Sequence, residues 1–314
     1  MNHKYKKAAP IIVATLIGIL LFTSVLLTGT HGLGKEDRLC YETALSLQEE
    51  MSDLGFPNFM LTDYPMAFND GKSDYVLTWQ NGSYEVLKRA PYTDAFAATA
   101  VYVNDHYEVL VPTKERMSNL VGLMGGNYEN TEQAATIWHE AFHCWQFTHF
   151  KENILALIGN HSFEDADFGE NLIVSQYDAN IQAVALWEKQ SDLLSQALKE
   201  SDTDNLRALM LEYKKLEEER IALLDDNTRR LESYYITVEG TARYVEANAF
   251  KLLKEESFTD RYLANIAEYT KGTEKYYSIG MAQCFILDKL DENWKDHYDF
   301  SVPPIEIIYE KLGV

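Results

Sequence analysis

The residues whose types and spacing could do chemistry stand together at His139-Glu140-Ala141-Phe142-His143, an HExxH pattern inside TIWHEAFHCWQFTHF. On a helix, residues four apart lie one turn above each other on one face, so both imidazoles can reach a single ion with Glu140 beside them. Zinc suits this pair. Its tetrahedral shell accepts imidazole nitrogens at about 2.0 to 2.1 Å, and a catalytic site needs three protein ligands plus a water. Glu140 would hold that water and take its proton, and the resulting hydroxide would attack a carbonyl polarised by the metal. The competing reading is two satisfied core histidines around a chance glutamate. Against it stand the periodic helix, the sheet-like segments before it, and Trp138, Phe142 and Trp145, which bury one side of that helix.

A third ligand must come from elsewhere. His149 follows His143 by six residues, the metzincin spacing HExxHxxGxxH, but Gln146 stands where that motif needs the glycine that turns the chain back. If the helix continues, His149 rotates off the ligand face. Glu239, in YYITVEGTARYVEANAF, fits better. Its helix carries an apolar stripe through Leu231, Tyr235, Val238, Ala242, Val245 and Ala249, and Glu239 borders it. Burying a carboxylate there costs several kcal/mol unless a cation or hydrogen bonds compensate. Small Gly240, Thr241 and Ala242 would let this helix approach the HExxH helix closely. The alternative is a half-exposed Glu239–Arg243 pair; Glu232 and Glu246 on the same face, and Glu170, are reserve ligands.

HExxH followed by a glutamate on a later helix in an E-G-x-A setting resembles the gluzincin branch of the zincin-like metallopeptidases. The phrases HEAFHCWQ, EGTARYVE and YYSIGMAQCFILDKL together resemble exported bacterial HExxH proteins of that superfamily with no assigned substrate. The resemblance covers about Asn130 to Leu290. It implies zinc ligands His139, His143 and Glu239, Glu140 as general base, and an edge strand of the preceding sheet that binds extended peptide antiparallel above the metal. Two departures stand out. About ninety-five residues separate His143 from Glu239, and Arg243 occupies the position where better-known gluzincins place an acidic residue one turn after the ligand. Such enzymes usually add a Tyr or His that stabilises the oxyanion. Among 20 tyrosines, Tyr276 and Tyr277 ahead of Gly280 are the first choice, with Tyr277 assigned the role, and Tyr234 and Tyr235 come next.

The elements that must position these groups are legible in part. Lys35 to Leu54 reads as a helix ended by Gly55 and Pro57. Asp74–Gln80 and Ser83–Arg89 read as strands joined by Asn81-Gly82, a strong hairpin signal. Thr99 to Val111 is a further extended run that stops at Pro112, and Asn130 with Gln133 resembles a capping box opening the HExxH helix. From there the pattern is helical. Near-heptad apolar spacing between Asn180 and Tyr235, interrupted by Ser201-Asp202-Thr203-Asp204, predicts a long helical hairpin, its charge run serving a solvated or partner-binding face. The expected class is α+β, mainly α, and zincin-like. One domain spans residues 31–314, with a helix and small sheet over 31–126 and a helical metal-binding part over 127–314.

Charge narrows the functional classes. The chain of 314 residues holds 28 Lys plus Arg against 49 Asp plus Glu. Three lysines fall in the acid-free first 28 residues, leaving 25 basic against all 49 acidic residues beyond them. Such a body repels phosphate backbones, which argues against nucleic-acid binding. The uncharged apolar run from Pro10 to about Thr30 follows Lys4, Lys6 and Lys7 and has the length of a bilayer span. With no A-x-A site after it, it reads as a retained signal anchor over residues 1–30 with the N-terminus cytoplasmic and the body extracytoplasmic. A cleaved signal with an atypical site is the alternative. Cys40, Cys144 and Cys284 are too few for a disulfide framework. Together these observations predict a membrane-anchored extracytoplasmic zinc metallopeptidase acting on a peptide or protein; the alternative is a zincin-like module that binds zinc or a partner without turnover.

Overall fold

Asn81 and Gly82 take φ of 52° and 81°, the left-handed pair a two-residue hairpin turn requires, so Gln80 faces Ser83 and seven residue pairs zip behind them. The computed structural model in which this hairpin is seen describes residues 32–163 and 168–314. The apolar run from Pro10 to about Thr30 lies outside the described residues, among which no helix is long and apolar enough to cross a membrane. They are mainly helical with one small mixed sheet of five strands, the α+β, mainly α class expected. Their contacts divide them into two units, residues 32–46 with 62–137, and residues 47–61 with 138–314.

The first unit holds α1 (Lys35–Ser46), strands β1 (Met66–Asn69), β2 (Asp74–Gln80), β3 (Ser83–Arg89), β4 (Thr99–Val103) and β5 (His106–Pro112), and α3 (Lys114–Leu123). The strand order is β3-β2-β1-β5-β4, with β1 and β5 parallel and the other pairs antiparallel. Strands β3 and β4 are thus its two edges. The expected single run from Thr99 to Val111 is folded back on itself at Asn104-Asp105, whose φ values of 49° and 66° are tolerated because short polar side chains support the left-handed region. The four residues of β1 are all buried, so they show none of the alternation that marks a half-buried strand. The expected helix from Lys35 to Leu54 is interrupted at Leu47, after which α2 (Gln48–Leu54) begins the second unit.

The HExxH segment lies on α4 (Asn130–His149), which opens in the first unit. Its expected capping box is displaced by one residue. The Glu129 N–H donates to Glu132 Oε2 at 2.7 Å, while Gln133 is buried and donates to the Pro112 carbonyl at 3.0 Å.

The second unit continues through α5 (Lys151–Ile158), α6 (Ile181–Ala197), α7 (Thr203–Ile221), α8 (Asp226–Leu252), α9 (Glu256–Ala264), α10 (Glu274–Leu290) and α11 (Pro304–Leu312). Helices α6 and α7 form the expected hairpin. Asn180, Asp202 and Asp225 cap α6, α7 and α8 by accepting backbone N–H groups, and each such cap typically contributes about 1 kcal/mol. The hairpin is more than a solvated arm. Buried Arg220 near the end of α7 donates to both Glu232 oxygens on α8, at 2.5 and 2.6 Å, and to Gln190 and Tyr177. Trp138, Phe142 and Trp145 bury one side of α4 as expected, against Phe56 and Phe59. Gly240 faces a different neighbour from the one expected. It meets Gly280 of α10, where a Cβ on Gly280 would stand 2.2 Å from the Ile236 carbonyl and 2.7 Å from Gly240 Cα.

Candidate metal centre

The i and i+4 spacing on α4 brings the His139 and His143 Nε2 atoms to 3.1 Å of each other. Two ring nitrogens aimed at one point cannot both hold a proton without repulsion. Glu239 completes a triangle from α8, its Oε2 lying 3.2 Å from His143 Nε2 and 3.4 Å from His139 Nε2. Among the described residues this is the group of His, Cys, Asp and Glu side chains placed to hold a metal ion. Its edges pass a simple test. Ligands about 2.0 to 2.1 Å from a tetrahedral centre stand roughly 3.3 Å apart, which is the size of the triangle observed.

His143 presents Nε2 because of what its other nitrogen meets. Gln146 is fully buried; its amide nitrogen donates to the Val238 carbonyl at 3.1 Å and to Thr241 Oγ1 at 2.8 Å. The amide oxygen therefore faces His143 Nδ1, at 2.7 Å, so Nδ1 carries the proton and Nε2 the lone pair. Thr241 in turn donates to the Thr237 carbonyl, locking the direction of the chain of bonds. Thus Thr241, not Gly240, is the small residue of this stretch that serves the HExxH helix. On the other histidine, Glu246 Oε2 stands 3.3 Å from Nδ1.

The centre attracts positive charge. Burial opposes a charge on His139, yet Glu239 and Glu246 override it and push the pKa up to about 10. His143 is raised as well, with burial again opposed by the Glu239 charge. Burial would raise the Glu239 and Glu246 carboxyls, but both are held below the usual range, Glu239 by His143 and His139, and Glu246 by Arg243 and His139. Glu140 behaves differently. Burial lifts its pKa against the pull of both histidines, so the carboxyl beside the triangle is a stronger base than an exposed glutamate. The same field that draws protons to the imidazoles would draw a divalent cation, so the residues fit a metal ion in number, spacing and charge.

The remaining expected residues fall into place or out of it. His149 packs between Trp145 and Phe150, outside the triangle. Glu232 is engaged by Arg220, and Glu170 is exposed against Gly272. Glu246 lies outside the triangle, behind His139. Tyr276 is a core residue ringed by Tyr177, Trp187 and Tyr235. Tyr277, half-buried, stacks on Tyr235 at 6.4 Å and sits 5.3 Å from the Arg243 guanidinium. Tyr235 and Arg243 are one turn either side of Glu239, so Tyr277 lies abreast of that ligand. Burial and the Glu239 charge hold its hydroxyl protonated far above neutrality. Gln146 and Glu246 were not recognised from sequence as supports. The i+3 spacing of His143 and Gln146 was the available signal for the first.

No protein-family model, curated protein or solved structure matches the chain.

Proposed function

We propose that the protein is a zinc-dependent metallopeptidase of zincin-like type, with His139, His143 and Glu239 as ligands and Glu140 as general base. The observation that carries this reading is the His139–His143–Glu239 triangle of 3.1, 3.2 and 3.4 Å with the buried Glu140 carboxyl alongside. Bound there, zinc supplies a Lewis acid that polarises a carbonyl and brings the pKa of a bound water to about 7. Glu140 would take the proton of the attacking water and hand it to the leaving amine, a role for which burial makes it a stronger base than an exposed glutamate. Tyr277, kept protonated, is the hydrogen-bond donor for the oxyanion that develops on the substrate. Gln146 holds His143 in the tautomer that binds.

The test compares wild type with Glu140→Gln on a broad peptide library while zinc content is measured. The substitution keeps the shape and one hydrogen bond to water but cannot accept the proton. Hydrolysis is expected to fall by about 10² to 10⁴ with zinc retained. Equal zinc content with no cleavage by wild type would favour a binding module instead. The extracytoplasmic placement rests on the N-terminal sequence alone. Protease added to intact cells is expected to digest a C-terminal tag, and protection of that tag would reverse the topology.

A further inference from the structure

His139 Nδ1 is buried away from water and makes no hydrogen bond among the described residues. The charged atom nearest to it is Glu246 Oε2, an ion-pair neighbour at 3.3 Å. That carboxylate is itself 6% exposed and is held from two further sides. Arg243 Nε lies 3.3 Å from the same oxygen, and the Tyr262 hydroxyl donates to Oε1 at 3.3 Å. Arg243 has little freedom to leave. Its guanidinium lies over the Tyr262 ring at 4.5 Å and the Tyr277 ring at 5.3 Å, and its Nη2 meets Glu274 at 3.2 Å. A planar guanidinium clamped between aromatic faces is a rigid cation, and a rigid cation fixes the carboxylate it pairs with.

Resting on the zinc reading above, we infer that Glu246, held by Arg243, is the positioning residue for His139. It sets the ring's orientation and keeps Nε2 free to bind metal, as Gln146 does for His143. The arrangement explains why a cation stands one turn after Glu239. The faces of Tyr262 and Tyr277 make position 243 a seat for a cation. From there Arg243 braces the carboxylate one turn further along α8, at 246. Outer carboxylates of this kind typically change metal affinity by 10- to 100-fold when removed, because the ligand ring loses both its aim and part of its basicity.

The experiment measures zinc affinity of the full chain by competition with a chromophoric chelator, with the thermal midpoint of the chelator-treated protein recorded alongside. Glu246→Ala is expected to weaken zinc binding about 10- to 100-fold. Glu246→Gln keeps an acceptor of the same length without the charge, and is expected to recover part of that loss. This variant also carries the test if the alanine protein fails to fold. The control is Glu232→Gln on the same helix, a buried carboxylate whose partner is Arg220. It is expected to lower the thermal midpoint and leave zinc affinity unchanged, which separates aiming a ligand from merely supporting a helix. If wild type binds zinc and both Glu246 variants bind it equally well, this inference fails alone. Wild type that retains no zinc removes the metal reading and this inference with it.

Discussion

Gln146 and His143 are joined by a 2.7 Å hydrogen bond whose direction is dictated from α8, since the Gln146 amide nitrogen is committed to the Val238 carbonyl and Thr241. The tautomer of a candidate ligand on one helix is thus set by the backbone of another. Gln146→Leu keeps approximate size but strands the buried Nδ1 proton, and such a group costs about 1 to 3 kcal/mol. The expected result is a lower urea midpoint and zinc affinity weakened about tenfold or more, read by chelator competition. Unchanged affinity with reduced stability would mean that the bond serves packing only.

The charge pattern predicts opposite pH responses with and without metal. In chelator-treated protein, the folded-state pKa of His139 is pushed to about 10, above its ordinary value of 6.5, by Glu239 and Glu246 against the cost of burial. A group raised in the folded state contributes stability that is full below pH 6.5 and lost as pH rises towards 10. Zinc requires the unprotonated ring, so its affinity rises across the same interval. Thermal midpoints measured between pH 6 and 9 should therefore separate, with the gap between zinc-loaded and chelated protein widening as pH increases. A constant gap would show that protons and metal do not compete for these nitrogens.

The seam between α8 and α10 has no room for a side chain. At Gly280 an added methyl would meet the Ile236 carbonyl at 2.2 Å and Gly240 Cα at 2.7 Å, both backbone atoms that no rotamer change can move. Gly280→Ala is expected to destabilise by roughly 3 kcal/mol, at the upper end for overpacking, with a clear drop in urea midpoint. Gly122, around whose Cβ position the structure is open, is the control and should tolerate alanine.

The parts of the site visible in the sequence were those confined to one helix. His139 and His143 share a face by the helical period alone, and Glu239 was marked by a carboxylate bordering an apolar stripe. What periodicity cannot give is the rotation of one helix against another. It therefore ranked Glu232 and Glu246 together as reserve ligands, although one is paired with Arg220 and the other lies behind His139. Adjacent Tyr276 and Tyr277 point about 100° apart on their helix, and packing alone puts the first in the core. The same blindness extended to Gln146, noted only for being unlike glycine, and to β1, whose full burial erased the alternation that would reveal it.

The Gly240–Gly280 contact also suggests how relatives could be found. Short HExxH matches arise by chance, and the residues that surround this one are spread over several helices. A backbone-to-backbone seam leaves a far stricter imprint, because neither glycine can be replaced without spreading the helices that bear Glu239 and Tyr277. The paired strings Glu239-Gly240 and Tyr277-Ser278-Ile279-Gly280, about forty residues apart after an HExxH helix, form a search pattern grounded in steric necessity. A distant chain that satisfies it is expected to keep the spacing between the carboxylate and the phenol that Gly240 and Gly280 set here, whatever its loops have become.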